Sequence, residues 1–142
     1  MKTYTSIVFL LLSSAVFAQK DIIGKWKTID DSTNEPRSIV EIVERDGLVY
    51  GKIVKLFRKA GEDPDPICDE CATDDPRYNK KVIGMEIIVG MKKNGTEFSG
   101  GNILDPENGR VYRCTLWTED NTLKVRGYWG PFFRTQTWIK TD

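Results

Sequence analysis

Gly24-Lys25-Trp26 lies at the start of the first of eight strand-like segments. The residues that follow predict mainly short β-strands, separated by turns that contain glycine and asparagine. The predicted strands cover residues 23–30, 37–45, 48–58, 82–92, 96–104, 110–118, 122–129 and 132–140. Because no stretch of residues 19–142 shows a convincing helical period, the sequence predicts an all-β domain.

Turn residues join most of these strands to their neighbours in sequence. Asp46-Gly47 lies between the second and third strands, and Asn94-Gly95 lies between the fourth and fifth. Both pairs accept the positive φ of tight hairpin turns. Hairpins in series form an antiparallel meander, and eight such strands can close into a barrel. The prediction is therefore an antiparallel, up-and-down, eight-stranded barrel, a shape that can enclose one small ligand.

The fourth segment shows the clearest alternation of apolar and polar residues. One face carries Ile83, Met85, Ile87, Val89 and Met91. This period of two is typical of a strand with one buried face. Methionine side chains adapt to irregular shapes. We therefore expect Met85, Ile87 and Met91 to line a cavity for a partly apolar ligand.

One long connection, residues 59–81, interrupts the series of hairpins. It contains Cys68 and Cys71 together with three prolines, which preclude regular strand or helix over most of its length. Loops of this length are uncommon in compact domains and are often functional. Its many acidic residues lack the spacing of a calcium-binding loop, so a solvated acidic loop is the expected interpretation.

Residues 1–18 have the pattern of a cleavable secretory leader. Lys2 precedes the apolar run of residues 7–12, and Val16-Phe17-Ala18 forms a small-residue cleavage site before Gln19. The apolar run is shorter than the roughly 20 residues that a spanning helix needs. We expect residues 19–142 to form one exported domain with no transmembrane segment.

Composition excludes several classes of function. The whole chain carries 21 basic and 21 acidic residues, whereas a nucleic-acid binder normally needs a strongly basic face. The chain contains no histidine, which removes the usual general base and the commonest metal ligand. No pair of carboxylates is placed by the sequence to act in hydrolysis. We therefore assign no catalytic residue, no metal site and no cofactor.

Seven motifs resemble the bacterial family called domain of unknown function 2147. The motifs, spread over nearly the whole exported domain, are Gly24-x-Trp26, Ser38-Ile39-Val40-Glu41-Ile42, Tyr50-Gly51-Lys52-Ile53, Cys68-x-x-Cys71, Ser99-Gly100-Gly101-x-Ile103-x-Asp105-Pro106-x-Asn108-Gly109, Leu123-x-Val125-Arg126-Gly127-Tyr128 and Arg134-Thr135-Gln136-Thr137-Trp138. The resemblance implies a secreted or periplasmic lipocalin-like barrel of a Gram-negative bacterium. It supplies no catalytic residues.

The three cysteines allow several arrangements. In an oxidising compartment, Cys68 and Cys71 are expected to form a local disulfide that pins the loop, which leaves Cys114 free. Cys114 shares a strand face with Tyr112 and Leu116 and reads as a small buried hydrophobe. A bridge from one loop cysteine to Cys114, a redox-active pair and a zinc site are the alternatives.

Aromatic and basic residues at the two ends of the domain suggest how the barrel closes. Trp26 lies near the N-terminus, and Arg134 and Trp138 lie near the C-terminus. A guanidinium stacked on an indole would close the barrel end, as in the lipocalin arrangement that this pattern resembles. Arg126 and Tyr128 share one strand face, and the sequence leaves open whether that face points inward.

The leading hypothesis is a secreted lipocalin-like barrel that binds a small, partly apolar molecule. Arg126, Tyr112 or Tyr128 would then supply the polar contacts that orient the ligand. The alternative is an envelope interaction protein whose barrel is filled by its own side chains. An eight-stranded barrel is compatible with both, so the size of the cavity is the discriminating observation.

Overall fold

The computed structural model describes residues 22–142, so the predicted leader lies outside the described residues. Nine strands follow one another along this part of the chain. They are β1 Gly24–Ile29, β2 Pro36–Arg45, β3 Leu48–Leu56, β4 Glu86–Asn94, β5 Glu97–Ser99, β6 Asn102–Asp105, β7 Arg110–Glu119, β8 Thr122–Trp129 and β9 Phe132–Thr141. Within residues 22–142, no helix has the length and apolar character needed to cross a membrane.

The strands form one closed antiparallel barrel. Strands β1 to β4 pair in order along the chain, β7, β8 and β9 do the same, and β9 returns to pair with β1. Both β5 and β6 lie between β4 and β7, so these two short strands share a single position in the barrel. The predicted all-β, up-and-down, eight-stranded barrel is confirmed.

The break between β5 and β6 lies at Gly100-Gly101. A β-carbon on Gly101 would overlap the Val89 carbonyl oxygen and lie 2.7 Å from the sulfur of Met91. Only glycine allows the chain to approach β4 this closely. The sequence predicted one strand over residues 96–104, and this close approach explains why two short strands replace it.

β4 differs from the strand predicted over residues 82–92. Its start moves to Glu86 because Gly84 has a φ of 91° and donates its N–H to the Ile53 carbonyl at 2.6 Å. Gly90 also has positive φ, and the pairing of β3 with β4 is irregular over the same stretch. The predicted single apolar face over residues 83–91 is therefore interrupted, and Ile88 becomes fully buried while Ile83 is exposed.

The long connection between β3 and β4 packs against the barrel. Cys68 and Cys71 form a disulfide, as predicted, and both are buried. The Cys68 N–H donates to the Lys80 carbonyl at 2.8 Å, and the Asn79 N–H donates back to the Cys68 carbonyl at 2.9 Å. A β-carbon on Gly109 would overlap the Glu70 carbonyl oxygen, so the disulfide loop lies directly on the turn before β7. The loop thus forms part of the wall of the barrel.

Candidate functional site

A cavity of about 680 Å³ occupies one half of the barrel. Its walls are built from inward-facing positions of the strands, which alternate along each strand. On β9, for example, Arg134, Gln136 and Trp138 all line the cavity. On β8, the inward positions are Val125, Gly127 and Trp129.

Apolar side chains form the floor of the cavity. Ile53, Ile87, Val125 and Trp138 line it and are almost completely buried. Below the floor, Val40, Ile42, Met91, Leu116 and Leu123 are fully buried and fill the other half of the barrel. The barrel is thus packed at one end and open at the other.

The middle of the cavity wall carries a few hydrogen-bonded polar groups. The Thr28 and Ser38 hydroxyls lie 2.8 Å apart, and the Ser38 N–H donates to the Thr28 hydroxyl at 3.0 Å. The Trp138 indole N–H donates to the Gln136 side-chain oxygen at 3.0 Å. Because these polar groups already have partners, they are accommodated at low cost in an apolar setting.

Charged residues surround the opening, and we call Asp30, Arg37, Asp105, Glu107 and Arg134 the mouth ring. Arg37 forms ion pairs with both Asp30 and Glu107. Arg134 binds the Asp31 carboxylate through two nitrogens, each at 2.7 Å. The mouth ring therefore holds guanidinium and carboxylate groups that are already oriented at the entrance.

Two carboxylates of the mouth ring have shifted pKa values. Hydrogen bonds from the Ser32 hydroxyl, and from the Ser32 and Thr33 N–H groups, lower the pKa of Asp30. Burial raises the pKa of Asp105, although Arg37 and Arg134 partly oppose this effect. The Asp105 carboxylate also accepts the Glu107 N–H at 2.9 Å. Partial desolvation makes Asp105 a suitable partner for a hydrogen-bond donor on a ligand.

The residues proposed from the sequence as ligand contacts divide into residues that line the cavity, residues of the packed core and residues on the outside of the barrel. Ile87 and Tyr112 line the cavity. Met85 and Met91 instead belong to the packed core, where Met91 is fully buried against the close approach of Gly101. Met85 lies before β4, next to Gly84 with its positive φ, and Met91 lies below the cavity floor, so neither methionine lines the cavity.

Arg126 and Tyr128 lie on the outside of the barrel. Leu123 and Val125 are buried inside, so alternation along β8 places Arg126 outward. The inward orientation considered for Arg126 is therefore not observed. Tyr128, two residues later on the same strand face, also points outward. The Arg126 guanidinium carbon lies 4.4 Å from the Phe133 ring centroid and 4.9 Å from that of Trp117.

The predicted stacking of Arg134 on Trp26 does not occur. Trp26 pairs with Lys140 across β1 and β9, and the Lys140 ammonium lies 4.8 Å from the Trp26 ring centroid. Arg134 lies six residues before Lys140 on β9, about 20 Å along the strand. It binds Asp31 at the mouth. Barrel closure thus uses Trp26 with a lysine, while Trp138 forms part of the cavity floor.

The third cysteine is free and buried. Cys114 pairs with Gly127 across β7 and β8, on the inward face. Burial raises the pKa of its thiol to about 12. The thiol therefore stays protonated and unreactive at neutral pH, which agrees with its interpretation as a small buried hydrophobe.

Several cavity residues were missed by the sequence argument. They are Thr28, Arg37, Ser38, Ile53, Leu104, Asp105, Val125, Gly127 and Gln136. The alternation of inward and outward residues, counted along β1 from Trp26 and along β9 from Trp138, could have identified two of them. Thr28 is two residues after Trp26, and Gln136 is two residues before Trp138, so both share the inward face.

Comparison with known proteins identifies the family of the chain and a solved structure with a similar fold. Residues 24–140 match a family described as an uncharacterized protein conserved in bacteria, domain of unknown function 2147. The chain belongs to this family. One similar solved structure is a protein from the human pathogen Helicobacter pylori, described as belonging to the lipocalin family. The two share 19% sequence identity with a TM-score of 0.70, over 86% of this chain and 84% of the other. This likeness shows a lipocalin-like fold, and no curated protein matches the chain significantly.

Proposed function

We propose that this family member binds a small, partly apolar molecule in the cavity of its barrel. The observation that carries the proposal is the cavity of about 680 Å³, which lies above an apolar floor and opens at the mouth ring. Ligand pockets for small molecules typically measure about 300–1,000 Å³ and combine apolar walls with a few placed polar groups. The apolar part of the ligand would lie against Ile53, Val125 and Trp138. Its polar end would lie among the charges of the mouth ring.

The cavity also weighs against the alternative of a barrel filled by its own side chains. Such a barrel would have large inward residues at every level. Here the packing is complete only at the closed end, where Met91, Leu116 and Leu123 are fully buried. In the other half, the inward position 127 is a glycine, and a β-carbon added there would still lie 3.5 Å from the nearest atom of Tyr112. The space next to Gly127 supports ligand binding.

A single substitution at Gly127 tests the proposal directly. Gly127 has no positive φ, and an added β-carbon would make only ordinary contacts with Tyr112. A leucine is therefore expected to fit and to project into the cavity. The matched control is Thr115→Leu. Thr115 faces outward on the neighbouring strand, so this substitution places the same leucine side chain outside the barrel.

The assay is titration with a fluorescent fatty-acyl probe, accompanied by a thermal melt of each variant. The wild-type protein and Thr115→Leu should bind the probe, whereas Gly127→Leu should lose at least about tenfold in affinity, equivalent to about 1.4 kcal/mol. All three proteins should unfold cooperatively. Equal binding by Gly127→Leu and Thr115→Leu would contradict binding in the cavity.

We also propose that the protein is exported to an oxidising compartment, either the periplasm or the medium. The leader pattern of residues 1–18 and the disulfide between Cys68 and Cys71 support this location. Mass analysis of the N-terminus after export should find Gln19 as the first residue. A mature protein that still begins with Met1 would refute the proposed processing.

A further inference from the structure

The hairpin between β8 and β9 exposes three large aromatic side chains beside the cavity mouth. Trp129 is 62% exposed, Phe132 is 69% exposed and Phe133 is 60% exposed. We call these three residues the aromatic tip. Trp129 and Phe132 form a cross-strand pair, and all three residues line the cavity entrance. The Phe133 ring also packs beside Tyr128 on the outside of the barrel. Large exposed aromatic side chains in a contiguous patch mark an interaction surface.

The adjacent outer surface of the barrel is basic. Outward positions on β7 and β8 carry Arg113, Lys124 and Arg126. Among the outward-facing residues of β7, β8 and β9, the acidic one is Glu119. Its carboxylate lies at the far end of the barrel from the aromatic tip. We call Arg113, Lys124 and Arg126, together with Arg110 at the rim, the basic face.

The cations of the basic face contact aromatic rings and a hydroxyl group. Within residues 22–142, none of its four cations forms an ion pair with a carboxylate. Arg110 lies over Trp129, Arg113 lies over Tyr128 and Arg126 lies over Phe133, with guanidinium carbons 4.4–5.6 Å from the ring centroids. The chain as a whole has no net charge, so this surface is a local segregation of positive charge.

We propose that the aromatic tip and the basic face dock the protein on a membrane surface that contains anionic phospholipids. Tryptophan and other amphipathic aromatic side chains favour the boundary between lipid headgroups and acyl chains. Unpaired arginine and lysine side chains are attracted to anionic headgroups. Because Trp129 and Phe132 also line the cavity entrance, docking would bring the mouth against the lipid. Docking itself does not require a ligand in the cavity.

Co-sedimentation of exported protein with vesicles tests this inference. One set of vesicles contains phosphatidylglycerol mixed with phosphatidylcholine, and the other contains phosphatidylcholine alone. The protein should bind the anionic vesicles at least about tenfold more strongly, and raising the salt from about 0.1 M to about 0.5 M should weaken binding severalfold. The fluorescence of Trp129 should shift to shorter wavelength on binding, and Trp129→Phe should remove most of that shift.

Two matched pairs of variants separate docking from nonspecific adsorption. Phe132→Ser with Phe133→Ser should weaken binding at least about tenfold, whereas Ile139→Ser should not. Ile139 is 50% exposed on the same strand but lies near the closed end of the barrel. Arg110→Gln with Arg113→Gln should also weaken binding, whereas Lys92→Gln with Lys93→Gln, which removes the same charge near the β4–β5 turn, should not.

Three results would overturn the inference. The first is absence of wild-type binding to anionic vesicles, and the second is equal loss of binding in the tip variant and Ile139→Ser. The third is concentration-dependent dimerisation without lipid that Phe132→Ser abolishes, which would assign the tip to a second copy of the chain. Gly127→Leu should retain vesicle binding, so failure of the proposed cavity ligand and failure of membrane docking are distinguishable.

Discussion

The Lys140 ammonium lies over the indole ring of Trp26, 4.8 Å from its centroid, and donates a hydrogen bond to the Ile23 carbonyl at 2.9 Å. The Trp26 indole N–H in turn donates to the Ile22 carbonyl at 2.8 Å. Gly24 makes this arrangement feasible, because a β-carbon there would lie only 2.6 Å from the Lys140 nitrogen. The Gly-Lys-Trp stretch therefore closes the barrel by fixing the start of β1 to the end of β9.

A double-mutant cycle tests the contact between Trp26 and Lys140. Trp26→Ala removes a buried aromatic side chain and should cost about 3–5 kcal/mol of unfolding free energy. Lys140→Met should cost much less, and the two losses should be non-additive by about 0.5–1 kcal/mol. Denaturant melts provide the measurement. Arg134→Met is the control, and its effect should add to that of Trp26→Ala because Arg134 lies at the other end of β9.

The contact between Gly109 and the disulfide loop predicts a large effect of a small substitution. Gly109 has a φ of 72°, and a methyl group there would overlap the Glu70 carbonyl oxygen. Gly47 has a similar φ of 78° but has no atom within 4 Å of the corresponding position. Gly47→Ala should therefore cost only the backbone strain, about 1–2 kcal/mol. Gly109→Ala should cost at least about 2 kcal/mol more in denaturant melts, and equal costs would show that the loop does not pack on this turn.

The buried thiol predicts a dependence of stability on alkaline pH. The Cys114 thiol has an ordinary pKa of 9.0, and burial raises its pKa in the folded state to about 12. Between these values, the unfolded chain loses the thiol proton while the folded chain keeps it. Stability should therefore fall as pH rises above about 9, by up to about 1.4 kcal/mol per pH unit from this group.

Cys114→Ala is the comparison for this pH effect. Its stability should fall less steeply than that of the wild type between pH 9.0 and about 12. Alkylation offers a second readout, since Cys114 should react only after unfolding while Cys68 and Cys71 remain bridged. Rapid alkylation of Cys114 in the native protein would contradict its burial.

The position of Met85 in the packed core predicts that enlarging it does not block the cavity. Met85 is buried and does not line the cavity. Met85→Trp should overpack the core and cost about 1–3 kcal/mol, while probe binding by the folded protein is retained. Gly127→Leu should show the opposite pattern, with loss of probe binding and a smaller change in melting temperature. Loss of binding by Met85→Trp at full stability would place the ligand against Met85 and contradict its position in the packed core.

The sequence carried enough information for the strand order and for most of the strand bounds. Asp46-Gly47 and Asn94-Gly95 specified hairpins through local backbone preferences, so no knowledge of distant residues was needed. The disulfide between Cys68 and Cys71 was also predictable from local spacing. These features depend on residues that are close in the chain.

The remaining features depend on register across strands. Arg134 and Lys140 both occupy inward positions of β9, and only the pairing of β9 with β1 decides which of them meets Trp26. The pairing of β3 with β4 is irregular on both sides of Gly51, so the consecutive residues Ile87 and Ile88 are both buried, which simple strand alternation does not predict. Gly127 lies between Cys114 and Arg134 on the cavity wall, and this position follows only from the pairing of β8 with both neighbouring strands.

The occupant proposed for the open half of the barrel is a small, partly apolar molecule. Native mass spectrometry of protein purified from the envelope of its own host tests this proposal most directly, with wild type and Gly127→Leu prepared in parallel. We expect a co-purifying small molecule on the wild-type protein that dissociates on activation and is absent or strongly depleted on Gly127→Leu. A wild-type protein with only its own mass, which also binds no apolar probe, would show that the cavity is not a ligand site.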